Sequence, residues 1–305
     1  YGLYCMDEAD VECHYNDRLA STSSWTETMR DREMRMVLRD RNHPSVIFWS
    51  MGNESGSANN LSSILPEVRK TDDRPIHFES SGGYTTYSDL GSSMYPTVSL
   101  VNSRSNGMNG KPYFMCEYEH SMGQATGNLK EYWDIIERSN GIIGGCIWDW
   151  VDQSFYDPKR LVAGEDLKNE NGFNYWMSGY DYNNPAGVGM GFQGNFVNNG
   201  IIAPDRSWSA KLTQVKKVYQ NVEFTKFENG SLTINNKNSF VNLDKFDVVY
   251  TVLRDGCIVE EGKVATPNIG AGNLAIVKVH YTTDTTDGAE YMLNTSLRLK
   301  EATLW

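Results

Sequence analysis

The chain has 305 residues, 39% hydrophobic and 22% charged, and carries a formal charge of −11. That length supports one large or two ordinary domains with sizeable cores, and the composition is that of a globular protein. The acidic balance argues against nucleic acid or an anionic membrane surface as partner, since both select basic patches. No apolar run approaches the length of a membrane span. Eight Trp and 17 Tyr serve either large cores or stacking on the apolar faces of sugar rings, and composition leaves both open. Five cysteines (Cys5, Cys13, Cys116, Cys146 and Cys257) contain no CxxC pair, so neither a zinc ribbon nor a disulfide framework is expected. Most are expected inside apolar strand-like runs as small hydrophobes with reduced thiols. The opening YGLYCMDEAD has no initiator Met and reads as an excised piece, so a missing leader is uninformative.

In chain order, residues 2–6 form an apolar strand-like run, and residues 25–41 follow with Met29, Met36 and Val37 at helical spacing among charges. Residues 46–51 are a second run and 61–70 a second helix. A third run at 76–78, a fourth at 113–116, a helix at 128–138 and a fifth run at 142–150 continue the alternation. This pattern implies a parallel sheet covered by helices, either doubly wound or a barrel. The Gly- and Asn-rich stretch 179–200 reads as a long loop, a kind often functional. From Val222 the texture changes to short strands separated by turn residues. Asn229-Gly230 and Asp255-Gly256 are the pairs that tight hairpins prefer. Six or seven strands over some 85 residues suggest an immunoglobulin-like sandwich. The expected domains are 1–220 and 221–305.

Carboxylates recur where apolar runs end. MDEADVECH carries Glu12 and His14, SVIFWSMGNESG ends on Asn53 and Glu54, FMCEYEH places Glu117 and His120, and WDWVDQ offers Trp148, Asp149 and Asp152. In parallel α/β architectures functional residues gather at the C-terminal ends of strands, because the following loops open onto one face. Two carboxylates on different strand ends fit glycoside hydrolysis: one donates a proton to the leaving oxygen while the other attacks or activates water. Any one of them alone is as readily a cap or an ion-pair partner. Glu12 and His14, two apart in an extended segment, point the same way and could share one ion. A carboxylate-rich set with one imidazole suits Mg²⁺ or Mn²⁺ better than zinc. A local hydrogen bond is the simpler use of His14, and spacing leaves both open.

RDRNHPSVIFWSMGNESG resembles the acid/base signature of glycoside hydrolase family 2, and CEYEHSMG its nucleophile signature. GLYCMDEADVECH, GGCIWDWVDQS and NFVNNGIIAPDRS are similar to further blocks of that family in the same order, nearer its lac-type β-galactosidases than its glucuronidases or mannosidases. The resemblance implies a (β/α)₈ TIM-type barrel, incomplete and starting near its third strand, followed by an all-β immunoglobulin-like sandwich. It implies a retaining hydrolase of terminal β-galactosides, with Glu54 as acid/base and Glu117 as nucleophile. Glu12, His14 and Glu54 match the family's Mg²⁺ site. Tyr95 matches a tyrosine bonded near the nucleophile, Asn53 and His120 match residues holding sugar hydroxyls, and Trp148 matches the floor under the galactose. Phe196 and Asn199 match positions holding Na⁺. Alternatives are another family 2 β-glycosidase (a glucuronidase or mannosidase) and a non-catalytic carbohydrate-binding fragment.

The resemblance also implies partner domains outside these residues, a homo-oligomer, and a cytoplasmic or periplasmic bacterial location. With two barrel strands missing, the 305-residue chain alone is expected to have little activity. Two departures from the family pattern, ECHYND around His14 and SGSANN after Glu54, bear on leaving-group specificity.

Overall fold

The computed structural model describes residues 2–79, 86–155, 178 and 196–303. The chain divides into two units, Tyr1–Val218 and Tyr219–Trp305. In the first unit β1 (Cys5–Glu8), β2 (Val46–Ser50) and β3 (Ile76–His77) form one parallel sheet in the order β1-β2-β3. A second parallel sheet contains β4 (Gly91–Met94), β5 (Tyr113–Tyr118) and β6 (Ile142–Ile147) in the order β4-β5-β6. The family resemblance implies a barrel. Among the described residues the six strands make two three-stranded arcs, with no ladder joining β3 to β4 and no closed barrel.

The helices α1 (Thr26–Asp40) and α2 (Leu61–Thr71) cover the first arc. Met29, Glu33, Met36 and Val37 are the buried stripe of α1, and Leu61, Ile64, Leu65 and Val68 that of α2, both at the spacing of one helix face. They close on Trp49, Met51, Ile76 and Phe78 in one core. Trp49 is fully buried, and its indole N–H donates to Asp72 Oδ1 at 3.0 Å just beyond α2, so the ring fills the core without an orphaned donor.

The expected elements are present with ends shifted by a few residues. Three further elements, β4, α3 (Val98–Ser103) and α5 (Ala210–Val218), have no counterpart among the expected ones. Gly91-Ser92-Ser93-Met94 carries no β-branched residue, so β4 lacks the apolar signature that marks the other strands. The helix α4 (Leu129–Arg138) is as anticipated. The cysteines correct one expectation. All five are free, but Cys5, Cys146 and Cys257 are exposed and none is fully buried. On β6 Cys146 has the parity of the buried Ile142 and Gly144 yet is exposed, so its exposure comes from its place near the end of the strand and not from alternation. The expected loop at 179–200 lies, through residue 195, outside the described residues.

In the second unit β7 (Val222–Glu228), β8 (Ser231–Asn236) and β11 (Leu274–Lys278) form one antiparallel sheet, ordered β11-β8-β7. The other sheet, β10-β9-β12, contains β9 (Phe246–Arg254), β10 (Cys257–Ala265) and β12 (Tyr291–Leu299). Both sheets contribute to one core, with Leu232 and Ile234 from β8, Val248, Tyr250 and Val252 from β9, and Val277 from β11. Asn229-Gly230 and Asp255-Gly256 make the two hairpin turns, with φ of +48°, +70°, +48° and +80°. Positive φ at both central residues is the twist that matches right-handed strands. Asn236 is fully buried, and its amide donates to Val241 O at 2.8 Å and Ile269 O at 2.9 Å, which satisfies carbonyls that no strand reaches.

Candidate active site

The site begins where β2 ends. Gly52 has φ +119°, and a Cβ there would lie 2.3 Å from Val11 O, so only glycine lets the strand pass this close to the segment after β1. Asn53 N then donates to Val11 O at 3.0 Å, and Asn53 pairs with Glu12 in an isolated parallel bridge. Ser55 ties the two loops together: its hydroxyl accepts from Cys13 N at 3.0 Å and donates to Asn53 O at 2.8 Å. Glu54 takes φ +42°, an uncommon left-handed conformation for a glutamate, held by these contacts.

Five predicted residues meet here. Asn53 Nδ2 donates to Glu12 Oε2 at 3.1 Å and to Glu117 Oε1 at 3.4 Å. Glu54 Oε2 lies 3.1 Å from His14 Nδ1. One donor atom each from Glu12, His14 and Glu54 lies within 4.8 Å of the others, so one small cation could touch all three. Crowding by protein atoms pushes the Glu12 carboxyl up to about 7, with the Glu54 charge adding to the effect and the Asn53 hydrogen bond opposing it. A cluster that resists holding its own negative charge, with two carboxylates and one imidazole as donors, fits a hard divalent cation such as Mg²⁺.

The second carboxylate comes from β5. Tyr95 OH donates to Glu117 Oε2 at 2.6 Å, and Tyr95 N donates to Glu117 O at 2.8 Å. Burial pushes the Glu117 carboxyl up, and the Glu54 charge pushes the same way; the hydrogen bonds from Tyr95 and Asn53 oppose both. Burial, together with the hydrogen bond to Glu117, raises the Tyr95 hydroxyl, so it stays a proton donor. Carboxylates of two different strands therefore feel each other's charge across Asn53.

Among the remaining predicted residues, His120 meets Tyr95 and Phe196, and Asn199 meets Trp148. The His120 ring lies 4.6 Å from the Phe196 ring and 6.0 Å from that of Tyr95. Burial lowers its pKa, which keeps the imidazole neutral near pH 7, and its buried Nε2 has no hydrogen-bond partner among the described residues. Trp148 is fixed by backbone bonds, its N donating to Tyr118 O at 3.0 Å and its O accepting from Ser121 N at 2.7 Å. Asn199 is buried, with its amide turned so that its oxygen accepts from Trp148 Nε1 and its nitrogen donates to Val197 O, each at 3.0 Å. Asn199 thus anchors the Trp148 ring and keeps one oxygen lone pair free of that bond. Asp149 and Asp152 serve local structure: Asp149 accepts from Gln153 Nε2 at 3.0 Å and Asp152 from Gly200 N at 2.7 Å.

Sequence reasoning missed Glu79. It is 1% exposed, and burial pushes it up to about 7, with the charges of Glu117 and Glu54 adding to the effect. Ser92 and Cys116 are near enough to oppose that shift, yet neither makes a hydrogen bond of good geometry to its oxygens. The signal was present, since Ile76-His77-Phe78-Glu79 repeats the pattern of an apolar run closing on a carboxylate.

Acidic side chains and a neutral histidine at the C-terminal ends of parallel strands define a site of the α/β enzyme kind. Residues 1–224 match the family model described as "Glycosyl hydrolases family 2, TIM barrel domain", and residues 232–305 match "Beta-galactosidase, domain 4". The chain belongs to glycosyl hydrolase family 2. It is 34% identical over its whole length to a protein of Priestia megaterium named beta-galactosidase, covering 30% of that protein. It is also 34% identical to one so named from Clostridium acetobutylicum, covering all of this chain and 34% of the relative. A Vibrio vulnificus beta-galactosidase matches at 31%, over all of this chain and 30% of its own length. The chain therefore spans about a third of the curated relatives it matches.

Gly52→Ala should lower the thermal midpoint more than Gly110→Ala, because Gly110 has positive φ but open space around it, whereas Gly52 also faces a carbonyl. Equal shifts in the two variants would remove the special role of the Val11 approach. For Glu79, the folded carboxyl holds its proton up to about pH 7, against an ordinary value of 4.5. Between those values the folded form binds more protons than the unfolded, so stability falls as pH rises through the window and levels off above it. Glu79→Gln should flatten that decline, by about 3 kcal/mol across the window. Melts of both forms in chelator-containing buffer test it, and parallel curves would contradict it.

Proposed function

We propose that this chain is the catalytic part of a retaining glycoside hydrolase that releases terminal non-reducing β-D-galactose. The observation that carries the reading is Asn53, whose one amide nitrogen reaches Glu12 and Glu117 while the next residue, Glu54, meets His14. Two carboxyl groups from different strands thus face one space, as double displacement requires.

The first step has Glu117 attack the anomeric carbon as its bond to the leaving oxygen breaks and Glu54 donates a proton to that oxygen. In the second, Glu54 takes a proton from water, the water oxygen attacks the anomeric carbon, and the bond to Glu117 breaks. Tyr95 and Asn53 hold the two Glu117 oxygens, which favours the ionised nucleophile against burial and against the Glu54 charge. Retention calls for the two carboxyl groups to stand about 5–5.5 Å apart. Asn53 and the neutral His120 are the groups for sugar hydroxyls, and the Trp148 ring is the floor.

Glu12, His14 and Glu54 would hold Mg²⁺, whose charge would relieve the repulsion among these carboxylates. Phe196, through its backbone carbonyl, and Asn199 would hold Na⁺. The galactosidase activity is proposed for the whole protein, because the chain covers about a third of its relatives. In that protein the two arcs would belong to a closed (β/α)₈ barrel and the second unit to an immunoglobulin-like domain.

In the natural full-length protein, an aryl β-galactoside should be turned over well ahead of the matching glucuronide and mannoside. Glu117→Gln should lower kcat by at least about 1,000-fold while galactose still binds. Preference for the glucuronide would overturn the substrate assignment, and undiminished kcat in Glu117→Gln the catalytic one.

A further inference from the structure

The proposed chemistry needs residues of one arc to face residues of the other, yet no ladder joins the arcs between β3 and β4 among the described residues. Asn53 and Glu54 follow β2 in the first arc, whereas Tyr95 follows β4 and Glu117 lies on β5 in the second. Beneath them runs a row of polar side chains that starts at the exposed Glu8 and is buried from Ser50 onward. Glu8 and Ser50 are register partners across β1 and β2, and Ser50 and His77 are register partners across β2 and β3. Ser50 Oγ donates to Glu8 Oε2 at 2.6 Å and lies 3.0 Å from His77 Nδ1. The other ring nitrogen, Nε2, lies 3.0 Å from Ser92 Oγ on β4, across the break. The same ring meets the edge of Phe114 on β5, with centroids 5.6 Å apart and planes at 83°.

The hydrogens of this row have a defined sense. Ser50 gives its single hydroxyl hydrogen to Glu8, so its contact with His77 requires Nδ1–H to donate. A neutral ring protonated at Nδ1 has an acceptor at Nε2, and Ser92 donates to it. Burial lowers the His77 pKa to about 4, so the ring is neutral at working pH. Only a side chain with a donor on one side and an acceptor on the other closes the row without an orphaned polar atom. Ser50, His77 and Ser92 are each at most 1% exposed, so water cannot substitute for a missing partner.

We propose that His77 is a positioning residue that sets the first arc against the second, and so sets Asn53 and Glu54 against Glu117 and Tyr95. It sits one row below the carboxylates: Ser50 precedes Glu54 by four residues and Ser92 precedes Tyr95 by three. Three bonds to the Ile76 backbone also cross near the break, Asp89 N to Ile76 O at 2.6 Å, Ser88 Oγ to Ile76 O at 3.4 Å and Ile76 N to Asp89 Oδ2 at 2.8 Å. They tie β3 to the segment entering β4, at the end remote from the site. The His77 link lies on the side toward the site, where the angle between the arcs matters to the reacting groups.

The proposal rests on the glycosidase reading above, and its test separates the two. In the natural full-length protein, His77→Leu should lower kcat for an aryl β-galactoside about 100-fold, the scale of an ångström-level misplacement, with KM within about twofold. His77→Gln, which offers both a donor and an acceptor, should recover most of the loss. Ser92→Ala should cause a partial loss, and Ser92→Ala/His77→Leu should be no slower than His77→Leu, since both break one link. A folded His77→Leu with unchanged kcat, a His77→Gln as slow as His77→Leu, or losses that multiply in the double variant would each overturn the proposal. If His77→Leu does not fold, Ser50→Ala and Ser92→Ala decide it, and unchanged kcat in both overturns it. If the wild type hydrolyses no β-glycoside, the reading of function fails instead. Crystal structures then test the positioning directly: His77→Leu should lose the Asn53–Glu117 contact, and its retention would overturn the proposal.

Discussion

One amide nitrogen holds the centre of this site. Asn53 Nδ2 stands within hydrogen-bonding distance of carboxylates from two separate sheets, Glu12 beyond β1 and Glu117 on β5. Carboxylates brought together this way repel, and Glu12, Glu79 and Glu117 are all pushed upward, burial acting first in each. Short of protonation, such a cluster is relieved by donors or by a cation. The structure supplies donors to Glu117 in Tyr95 and Asn53, and brings one donor atom each of Glu12, His14 and Glu54 within 4.8 Å of the others, the set proposed above to hold an ion. The division matches the two tasks proposed, a nucleophile that must be ionised and an acid/base that must exchange protons.

This placement depends on backbone features that only a few residue types tolerate. Gly52 brings β2 against Val11, Ser55 pins the loop, and Glu54 and Tyr95 accept left-handed φ of +42° and +44°. Strain of this kind persists where the surroundings over-determine the backbone, and here it aims side chains from neighbouring strands at one point. The scaffold below is conventional by comparison, with helix stripes closing on Trp49 and Phe78.

Much of this was legible in the sequence, for identifiable reasons. Apolar runs ending on Glu54 and Glu117 mark strands that deliver acids, and the Asn-Gly and Asp-Gly pairs mark hairpins, because each is a local pattern of few residues. Family signatures added Tyr95, whose hydroxyl donates to Glu117, and Asn199, whose amide meets the Trp148 indole. The strand β4 was not legible, since Gly91-Ser92-Ser93-Met94 looks like a turn until a neighbouring strand supplies its ladder. The role of His77 was equally hidden. It follows from register, Glu8 beside Ser50 beside His77, and register across strands is a property of the folded sheet. Asp149 and Asp152 show the converse, since acids in a promising motif turned out to bind local backbone and amide groups.

The central claim is that Glu117 forms a covalent bond to the sugar while Glu54 manages the proton. Incubation of the full-length protein with an activated 2-deoxy-2-fluoro-β-D-galactoside tests it most directly. Fluorine slows both displacements, and the good leaving group restores only the first, so the covalent intermediate accumulates. Peptide mass mapping should find the fluorosugar on the peptide containing Glu117, on that carboxyl group alone, with loss of activity in step with labelling. Label on Glu54, or steady turnover of β-galactosides with no covalent adduct, would contradict the account.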